Sequence, residues 1–372
     1  MRNDTLGIIL TGDEKLAPLT DIRANSALPI AGRYRIIDFV LSDMANAGIG
    51  NIGIATQTNY SSLMEHTKSG KPWDLDRKNS GLHILPPNVE NRQYGANKGN
   101  IGLLSGIGEY IRKSEETYVI LSLGNMIYNI DFEDVVKKHI ENQADITVVY
   151  KKLIDADESD ISRYTLLDIE ADGRITDMEV QPYYPKTNNA GLEIYVMEKA
   201  LLESFLDECS ARGDTDFVKD AIIKKMGGMR IFGYEFEGEF YKIDSMKSYY
   251  RTSMCLLNSD IRQELFNRKR PIYTKTKDQS PTKYGKDAVC KNSFISDGCV
   301  IEGTVINSIL SRGVKVEPGA VVKNSIIMQD SVIKANAEVS HVVFDKEVVI
   351  SDGRKLIGQA NYPLAISKGT EI

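Results

Sequence analysis

Short apolar runs alternate with amphipathic segments over roughly the first 250 residues. Leu6–Leu10 is a continuous apolar run of the kind that forms a buried strand. The same patterns predict further strands at 52–55, 118–121, 146–150 and 193–196, and helices at 132–142, 199–209, 216–225 and 248–268. Leu166–Ile169 and Arg174-Ile175, separated by Asp172-Gly173, predict an antiparallel hairpin added to the sheet. This order predicts a mostly parallel sheet covered by helices.

The periodicity changes to six residues in the C-terminal part of the chain. Apolar residues recur in two series, at Val289, Ile295 and Ile301 and then at Val314, Ala320, Ile326 and Val332, with Val316, Val322 and Met328 keeping the same period. A six-residue period predicts a parallel β-helix with three short strands in each coil. The 13-residue step from Ile301 to Val314 breaks the phase, so a bulge or loop is expected there. Accidental spacing in a β-sandwich is the alternative.

Length and composition add further limits. A chain of 372 residues suggests two domains. The net charge of -6 argues against a general nucleic-acid binder, and no apolar run approaches the roughly 20 residues that span a bilayer. The four cysteines show no CxxC spacing and the four histidines are scattered singly, so neither a disulfide framework nor a metal cluster is expected. A cytoplasmic protein with reduced thiols is predicted.

The residues after the first strand combine a favourable position with unfavourable charge. Nucleotide-binding α/β folds place a glycine-rich turn and a helix N-terminus at this point, where backbone N–H groups bind phosphates. Here Gly12 is followed by Asp13 and Glu14, and two carboxylates would repel a triphosphate. The position therefore favours a nucleotide site, whereas the chemistry opposes one.

Four segments of the N-terminal part stand out as motifs: Leu28-Pro29, Gly32–Phe39 (GRYRIIDF), Gly70–Leu75 (GKPWDL) and Asp216–Asp220. Together with the hexapeptide coils that follow them, they resemble the bacterial glucose-1-phosphate adenylyltransferases (ADP-glucose pyrophosphorylases). The resemblance covers essentially the whole chain. It implies a Rossmann-like nucleotidyltransferase domain with a mixed, mostly parallel sheet at 1–250, a helix and linker at 251–286, and a left-handed parallel β-helix at 287–372. The family joins ATP to glucose 1-phosphate, giving ADP-glucose and pyrophosphate.

The family's phosphate-binding residues are largely replaced in this sequence. The loop GGxGTRL corresponds to Gly12–Leu16, which is about two residues shorter and keeps only Gly12 and a basic residue, Lys15. The lysine of the family's RAKPAVP motif becomes Asn25. The loop is therefore degenerate as a nucleotide site.

The family's metal and sugar positions are also changed. The metal-binding aspartates of SGDHIY and DVGT fall on Asn125 and Lys242, and the glutamate and lysine of FxEKP become Val180 and Gln181. An amide is a poor substitute for a carboxylate on Mg²⁺, and a lysine places a cation where the metal should lie. Lys242 is expected to contact Asn125 or Asp244 in place of the metal. Catalysis is therefore expected to be very weak or absent, with Mg²⁺ bound only by a catalytic partner.

A sequence that keeps the family's framework motifs but replaces its phosphate, metal and sugar residues resembles the non-catalytic, D-type subunit of the family. That resemblance implies a regulatory subunit that forms a hetero-oligomer, a tetramer, with a catalytic ADP-glucose pyrophosphorylase subunit. An active enzyme that uses Lys15 in place of arginine and Asp244 for the metal is the alternative. An acyltransferase of the hexapeptide class is a third reading, with His341 as its candidate base, but no long acyl-donor loop accompanies it.

Arg23, Arg33 and Arg35 fall in a basic region that, in the family, binds phosphorylated regulators or sulfate. We therefore predict an effector-anion site there. The alternative is that Arg35 pairs with Asp38 or lies on a solvated face.

Overall fold

The structure is a computed structural model. It describes residues 4–12, 14–57, 59–78, 80–86, 99–154 and 156–372. Asp13, which the sequence places in the degenerate loop, lies outside the described residues.

Nine strands of the described N-terminal part form one mixed sheet. Its main path runs β10-β9-β11-β6-β1-β4-β5, and β8 joins β11 to β12. The central pairs β6-β1, β1-β4 and β4-β5 are parallel, whereas β11 is antiparallel to both β6 and β8. The predicted mostly parallel sheet with an added antiparallel hairpin, β9-β10, is confirmed.

The strands of this part follow the predicted apolar runs. They are β1 Thr5–Leu10, β2 Pro29–Ile30, β3 Tyr34–Arg35, β4 Asn51–Ala55, β5 Gly81–Leu85, β6 Tyr118–Leu123, β7 Met126–Ile127, β8 Ile146–Lys152, β9 Thr165–Ile169, β10 Ile175–Val180, β11 Asn189–Glu198, β12 Ile231–Glu235 and β13 Tyr241–Lys242. Every residue of β1 is buried, as expected for a central parallel strand with helices on both faces.

The helices begin where polar side chains can satisfy free backbone N–H groups. The Asp131 carboxylate caps α5, and Ser245 and Ser248 form a capping box at α8. The α-helices are α1 Ile37–Asn46, α2 Ser61–Thr67, α3 Gly99–Gly106, α4 Gly108–Lys113, α5 Phe132–Glu141, α6 Glu158–Ile161, α7 Lys199–Arg212, α8 Met246–Cys255 and α9 Ser259–Leu265. The 3-10 helices are Asn25–Ala27, Lys71–Trp73 and Ile223–Gly228, and Phe217–Ile222 is a π-helix.

The C-terminal part is a β-helix of three parallel sheets, each with five strands in the described residues. This confirms the predicted left-handed parallel β-helix. Its strands are β14 Lys283–Tyr284, β15 Val289–Lys291, β16 Phe294–Ile295, β17 Val300–Ile301, β18 Thr304–Ile306, β19 Ile309–Leu310, β20 Lys315–Val316, β21 Val321–Lys323, β22 Ile326–Ile327, β23 Val332–Ile333, β24 Glu338–Ser340, β25 Val342–Phe344, β26 Val349–Ile350, β27 Lys355–Ile357 and β28 Leu364–Ile366.

Most coils are shorter than the 18 residues that three six-residue strands would give; the exception is the last coil, in which Val343 pairs with Ala365, 22 residues further on. Val300 pairs with Lys315, Lys315 with Val332, and Val332 with Val349, so successive coils contain 15, 17 and 17 residues. The phase break expected after Ile301 is therefore a shortened coil, and the predicted bulge or loop is wrong.

Four of the residues that keep the six-residue period lie outside the β-helix interior: Val289 is 51% exposed, Val332 is half-buried, and Ile326 and Met328 belong to another cluster. Ile326 and Met328 are at most 3% exposed, but they pack with Phe39 and Tyr249 in a cluster shared with the N-terminal part. The β-helix interior itself is filled by a separate cluster that includes Ile301 and Val322. The apolar period thus specifies both a core and a face for domain packing.

A buried ion pair joins the same two parts of the chain. Arg23 Nη1 lies 2.8 Å from Asp345 Oδ1, and the two residues are 2% and 1% exposed. Within the described residues no helix is long and apolar enough to cross a membrane.

Candidate functional site

The degenerate loop and Asn125 meet at one edge of the sheet. Gly12 follows strand β1 and Asn125 follows β6, which is parallel to β1. The Gly124 backbone N–H donates to the Leu10 carbonyl at 2.8 Å, which holds the two loops together. Ligands of open α/β sheets bind outside the carboxyl ends of such strands. The structure therefore places Gly12 and Asn125, two of the predicted degenerate positions, together at this edge of the sheet.

The Glu14 carboxylate lies between two buried amides. Asn125 Nδ2 donates to Oε1 at 2.9 Å, and Asn25 Nδ2 approaches Oε2 at 3.5 Å. Asn25 and Asn125 are at most 1% exposed. Both amide nitrogens also donate to the Ile243 carbonyl, at 2.7 and 3.3 Å. The residues that replace the family's lysine and aspartate thus bind a carboxylate of this chain, an arrangement called the Glu14 contact below.

Gly12 allows the Glu14 side chain to take this position. A Cβ on Gly12 would lie only 2.0 Å from Glu14 Oε2, so a larger residue would displace the carboxylate. Burial raises the pKa of the Glu14 carboxyl, while hydrogen bonds from its own backbone and from Asn25 oppose the shift. The carboxylate is therefore partly desolvated and held by donors.

Lys242 does not take the role predicted for it. It lies on β13, opposite Met126 of β7, but its Nζ donates to the Arg163 carbonyl at 3.3 Å and lies 5.4 Å from the centre of the Tyr164 ring. Contact with Asn125 or Asp244 was expected, and that prediction is wrong. The nearby ring and carbonyl stabilise the ammonium in their place.

Asp244 is bound by another residue. Arg163 donates to both of its carboxylate oxygens, with Nε 3.1 Å from Oδ2 and Nη2 on Oδ1. Ser248 Oγ donates to Oδ1 at 3.1 Å. Such two-point Arg–carboxylate pairing is geometrically specific. An active enzyme that uses Asp244 for a metal would first have to break this pair. Sequence reasoning missed Arg163, because no motif marks it.

These side chains do not fit Mg²⁺. The metal requires several oxygen ligands at about 2.1 Å. Here Glu14 already accepts from two amide nitrogens, Asp244 accepts from Arg163, and Lys242 is a cation. Within the described residues no group of three or more His, Cys, Asp or Glu side chains could hold a metal ion. The polar groups here are hydrogen-bond donors that bind carboxylates, and they are not ligands for a metal ion.

The remaining degenerate positions supply no charge. Val180 packs against the main core, and Gln181 is exposed, with its backbone N–H on the Tyr164 carbonyl at 3.2 Å. His341, the base of the acyltransferase alternative, has Nδ1 3.0 Å from Ser340 Oγ. In the described part of the chain no carboxylate forms an ion pair with its ring.

An open cleft of about 540 Å³ lies beside the Glu14 contact. We call it the loop cleft; its lining residues are Gly12, Glu14, Lys15, Thr20, Asp21, Arg23, Ala24, Asn25 and Asn59. Lys15 and Asp21 are exposed on its rim. The cleft is large enough for a small ligand.

The three arginines predicted to bind an effector anion separate into two environments. Arg23 is occupied by Asp345. Arg33 is exposed, with its guanidinium 5.5 Å from the centre of the Tyr34 ring. The Arg35 side chain donates to the Ala27 carbonyl and, at 2.9 Å, to Ser62 Oγ. The alternative pairing with Asp38 involves only the Arg35 backbone N–H, at 2.9 Å.

Arg33 and Arg35 line a pocket between the N-terminal part and the β-helix, here called the interdomain pocket. Its other cationic residues are Lys275, Lys277, Arg312 and Lys346, and its one carboxylate in the described residues is Glu65. Burial, together with the charges of Arg35, Arg23 and Lys277, lowers the pKa of Lys346 to about 8. Burial and the charge of Arg33 lower the pKa of Arg312. These cations are crowded enough to repel one another.

Comparisons with known proteins agree with the architecture. Residues 6–259 match the family model "Nucleotidyl transferase", and residues 278–361 match "GlmU-like, C-terminal hexapeptide". The glycogen biosynthesis protein GlgD of Bacillus subtilis (strain 168) is 36% identical over 99% of this chain and 96% of its own length. The glucose-1-phosphate adenylyltransferase of Bacillus mycoides (strain KBAB4) is 32% identical over 94% and 93%, and that of Bacillus cereus (strain ATCC 10987 / NRS 248) gives the same values.

These matches extend over both parts of the fold and over nearly the full length of the relatives. The chain therefore belongs to the glucose-1-phosphate adenylyltransferase family of nucleotidyl transferases, together with proteins such as GlgD.

Proposed function

We propose that this protein is a regulatory, catalytically impaired subunit of ADP-glucose pyrophosphorylase in cytoplasmic glycogen biosynthesis. It acts by binding and activating a catalytic partner subunit in a hetero-oligomer, a tetramer. The observation that carries the proposal is the Glu14 contact, in which a carboxylate of the chain occupies the amides that stand at the family's lysine and metal positions.

The chemistry of the family explains why such a site would not turn over. Adenylyl transfer needs charge neutralisation on the triphosphate, by cations and a metal held by carboxylates. In this chain the loop adds a negative charge beside the phosphate position and the cation at the second metal position, Lys242, interacts with Tyr164. The sheet that carries the site is nonetheless covered by hydrophobic cores, which suits a subunit whose role is to contact a partner.

The test compares this chain alone with a mixture that contains its partner. We expect ADP-glucose formation from ATP and glucose 1-phosphate with Mg²⁺ to be roughly a hundred-fold or more below that of a catalytic relative when the chain is assayed alone. Mixing it with a glucose-1-phosphate adenylyltransferase of the same organism should raise that enzyme's rate and yield a mixed oligomer by size-exclusion chromatography with light scattering. Normal turnover by this chain alone would refute the proposal, as would a mixture that neither associates nor gains activity.

The interdomain pocket supports a second part of the proposal, the binding of a phosphorylated effector. Arg312 is 5% exposed, and its Nε has no hydrogen-bond partner among the described residues. A buried guanidinium without an acceptor is costly unless an anion supplies one. Arg33 and Arg35 come from the N-terminal part, whereas Arg312 and Lys346 come from the β-helix. An anion bound by both sets would hold the two parts together and so could influence a partner subunit.

This pocket should bind anions less tightly as the pH rises through about 8. Lys346 loses its proton, and therefore its positive charge, near that pH because burial and neighbouring cations lower its pKa. Sulfate is a suitable probe, since it stays doubly charged across the range. We expect its affinity, measured by calorimetry, to fall several-fold between about pH 7 and pH 9.

The Lys346→Met variant should bind sulfate more weakly and lose this decline. Lys277→Met is the control, because Lys277 is an exposed lysine of the same pocket. It should retain the decline but move it to higher pH, since the charge of Lys277 helps to lower the pKa of Lys346. A pH profile that is unchanged in Lys346→Met would contradict the assignment.

A further inference from the structure

The Glu14 contact determines what can enter the loop cleft. The side chain projects from the loop after β1 and places its two oxygens against Asn125 and Asn25. Both amides use their nitrogens on Glu14 and on the Ile243 carbonyl. Both amide donors, of which Asn25 lines the cleft, are therefore already satisfied by groups of the chain itself.

We propose that Glu14 is an internal substitute ligand that excludes polyanions, such as polyphosphates, from the loop cleft. The carboxylate acts in two ways. It occupies the two amide donors, and it places a negative charge at the position where the phosphates of a ligand would have to lie. Polyanions are thus excluded by one residue, Glu14, and not only by the general loss of basic groups.

The charges around the cleft support this assignment. Arg23 is neutralised by Asp345, and Lys242 lies over the Tyr164 ring. Lys15 is exposed and lines the cleft together with Glu14 and Asp21. Removing the charge of Glu14 would leave Lys15 and the Asn25 amide in the cleft lining, together with the charge of Lys242, which already acts on the Glu14 carboxyl, to attract an anion.

Some polar atoms of the Glu14 contact have no hydrogen-bond partner, which makes the Glu14 side chain easier to displace. The carbonyl oxygens of Asn25 and Asn125 are buried and accept no hydrogen bond from the described residues. Burial raises the pKa of Glu14, which reflects the cost of keeping its charge away from water. Gly12 is required for the folded-back position of the side chain. Part of the energy of the contact is therefore lost to desolvation, and a single substitution of Glu14 should allow an anion to bind in the cleft.

The inference deepens the proposed function and rests on it only in treating the cleft as non-catalytic. A chain that activates no partner could still carry this contact. The test therefore measures ligand binding by this chain alone, and its failure is distinct from failure of the partner assay.

The experiment measures inorganic triphosphate binding by calorimetry, with every variant made in an Arg312→Gln background. That background weakens the interdomain pocket, so that binding there does not mask the loop cleft. We expect Glu14→Gln to raise the affinity for triphosphate by ten-fold or more over its parent. Asp21→Asn removes the same charge from the rim of the same cleft without touching either amide, and should change the affinity less than about three-fold.

Two results would overturn the proposal. One is a triphosphate affinity in Glu14→Gln that is no higher than in its parent, and the other is an equal gain in Asp21→Asn, which would indicate a simple effect of net charge. Glu14→Ala provides a second way to remove the carboxylate if Glu14→Gln folds poorly, and it should also raise the affinity. Circular dichroism of each variant shows whether it is folded.

Discussion

Replacing Arg23 with methionine is expected to lower the free energy of unfolding by roughly 3–5 kcal/mol. Arg23 and Asp345 form a buried ion pair through Asp345 Oδ1, and Asp345 Oδ2 accepts no hydrogen bond from the described residues. Removing the arginine alone leaves a desolvated carboxylate at the contact between the N-terminal part and the β-helix. The loss in the free energy of unfolding is measured by denaturant unfolding, with circular dichroism as the signal.

A double variant separates the ion pair from the packing around it. Arg23→Met combined with Asp345→Leu removes both charges, and we expect it to recover most of the stability that Arg23→Met loses, because apolar replacements of a buried pair are often close to neutral. Arg33→Met is the matched control, since Arg33 is exposed, and it should cost less than about 1 kcal/mol. If the control and Arg23→Met lose equal stability, the ion pair is not important for folding.

The role of Arg23 illustrates a limit of sequence reasoning. Its position in a basic motif predicts an anion ligand, but the structure pairs it with a carboxylate 322 residues away in the chain. The interdomain pocket has the same property, because Lys275 and Arg312 come together only when the β-helix packs against the N-terminal part. Spacing along the chain carries no information about such contacts.

The architecture was easier to predict from the sequence than these contacts, because it depends on local periodicity. The buried run Leu6–Leu10 became the central strand β1, and the six-residue period correctly predicted the β-helix. The predicted coil length was less accurate. Turns between the strands take fewer residues than the ideal period allows, and the sequence shows this only as a phase break after Ile301. The same period could not show that Met328 faces the neighbouring domain.

The candidate site could be predicted in part, better than the long-range contacts but less well than the architecture. The degenerate positions Asn25 and Asn125 followed from the resemblance, and the structure brings both to the loop that contains Glu14. The resemblance did not indicate that the amides would bind Glu14, or that Arg163 would pair with Asp244. Replaced residues form new contacts with one another, and those contacts depend on side-chain geometry that no motif records.

Restoring the family's aspartate at one of these positions should be harmful unless Glu14 is changed as well. Asn125→Asp replaces a donor that lies 2.9 Å from Glu14 Oε1 with a second carboxylate. It also places a carboxylate beside the Ile243 carbonyl, which accepts from Asn125 in the native protein. We expect Asn125→Asp to lower the free energy of unfolding at neutral pH by roughly 2–4 kcal/mol.

Glu14→Gln should relieve most of this loss, because a glutamine amide at position 14 can donate to the new carboxylate. The double-mutant cycle is therefore expected to give a coupling free energy of about 1–3 kcal/mol, measured by denaturant unfolding of the four proteins. Lowering the pH should reduce the penalty of Asn125→Asp in the Glu14 background, since protonation of either carboxyl removes the repulsion. Additive effects of the two substitutions would mean that Glu14 does not contact position 125 in solution. That result would remove the basis for the Glu14 contact, whereas strong coupling would show that any attempt to rebuild a metal site here must begin by replacing Glu14.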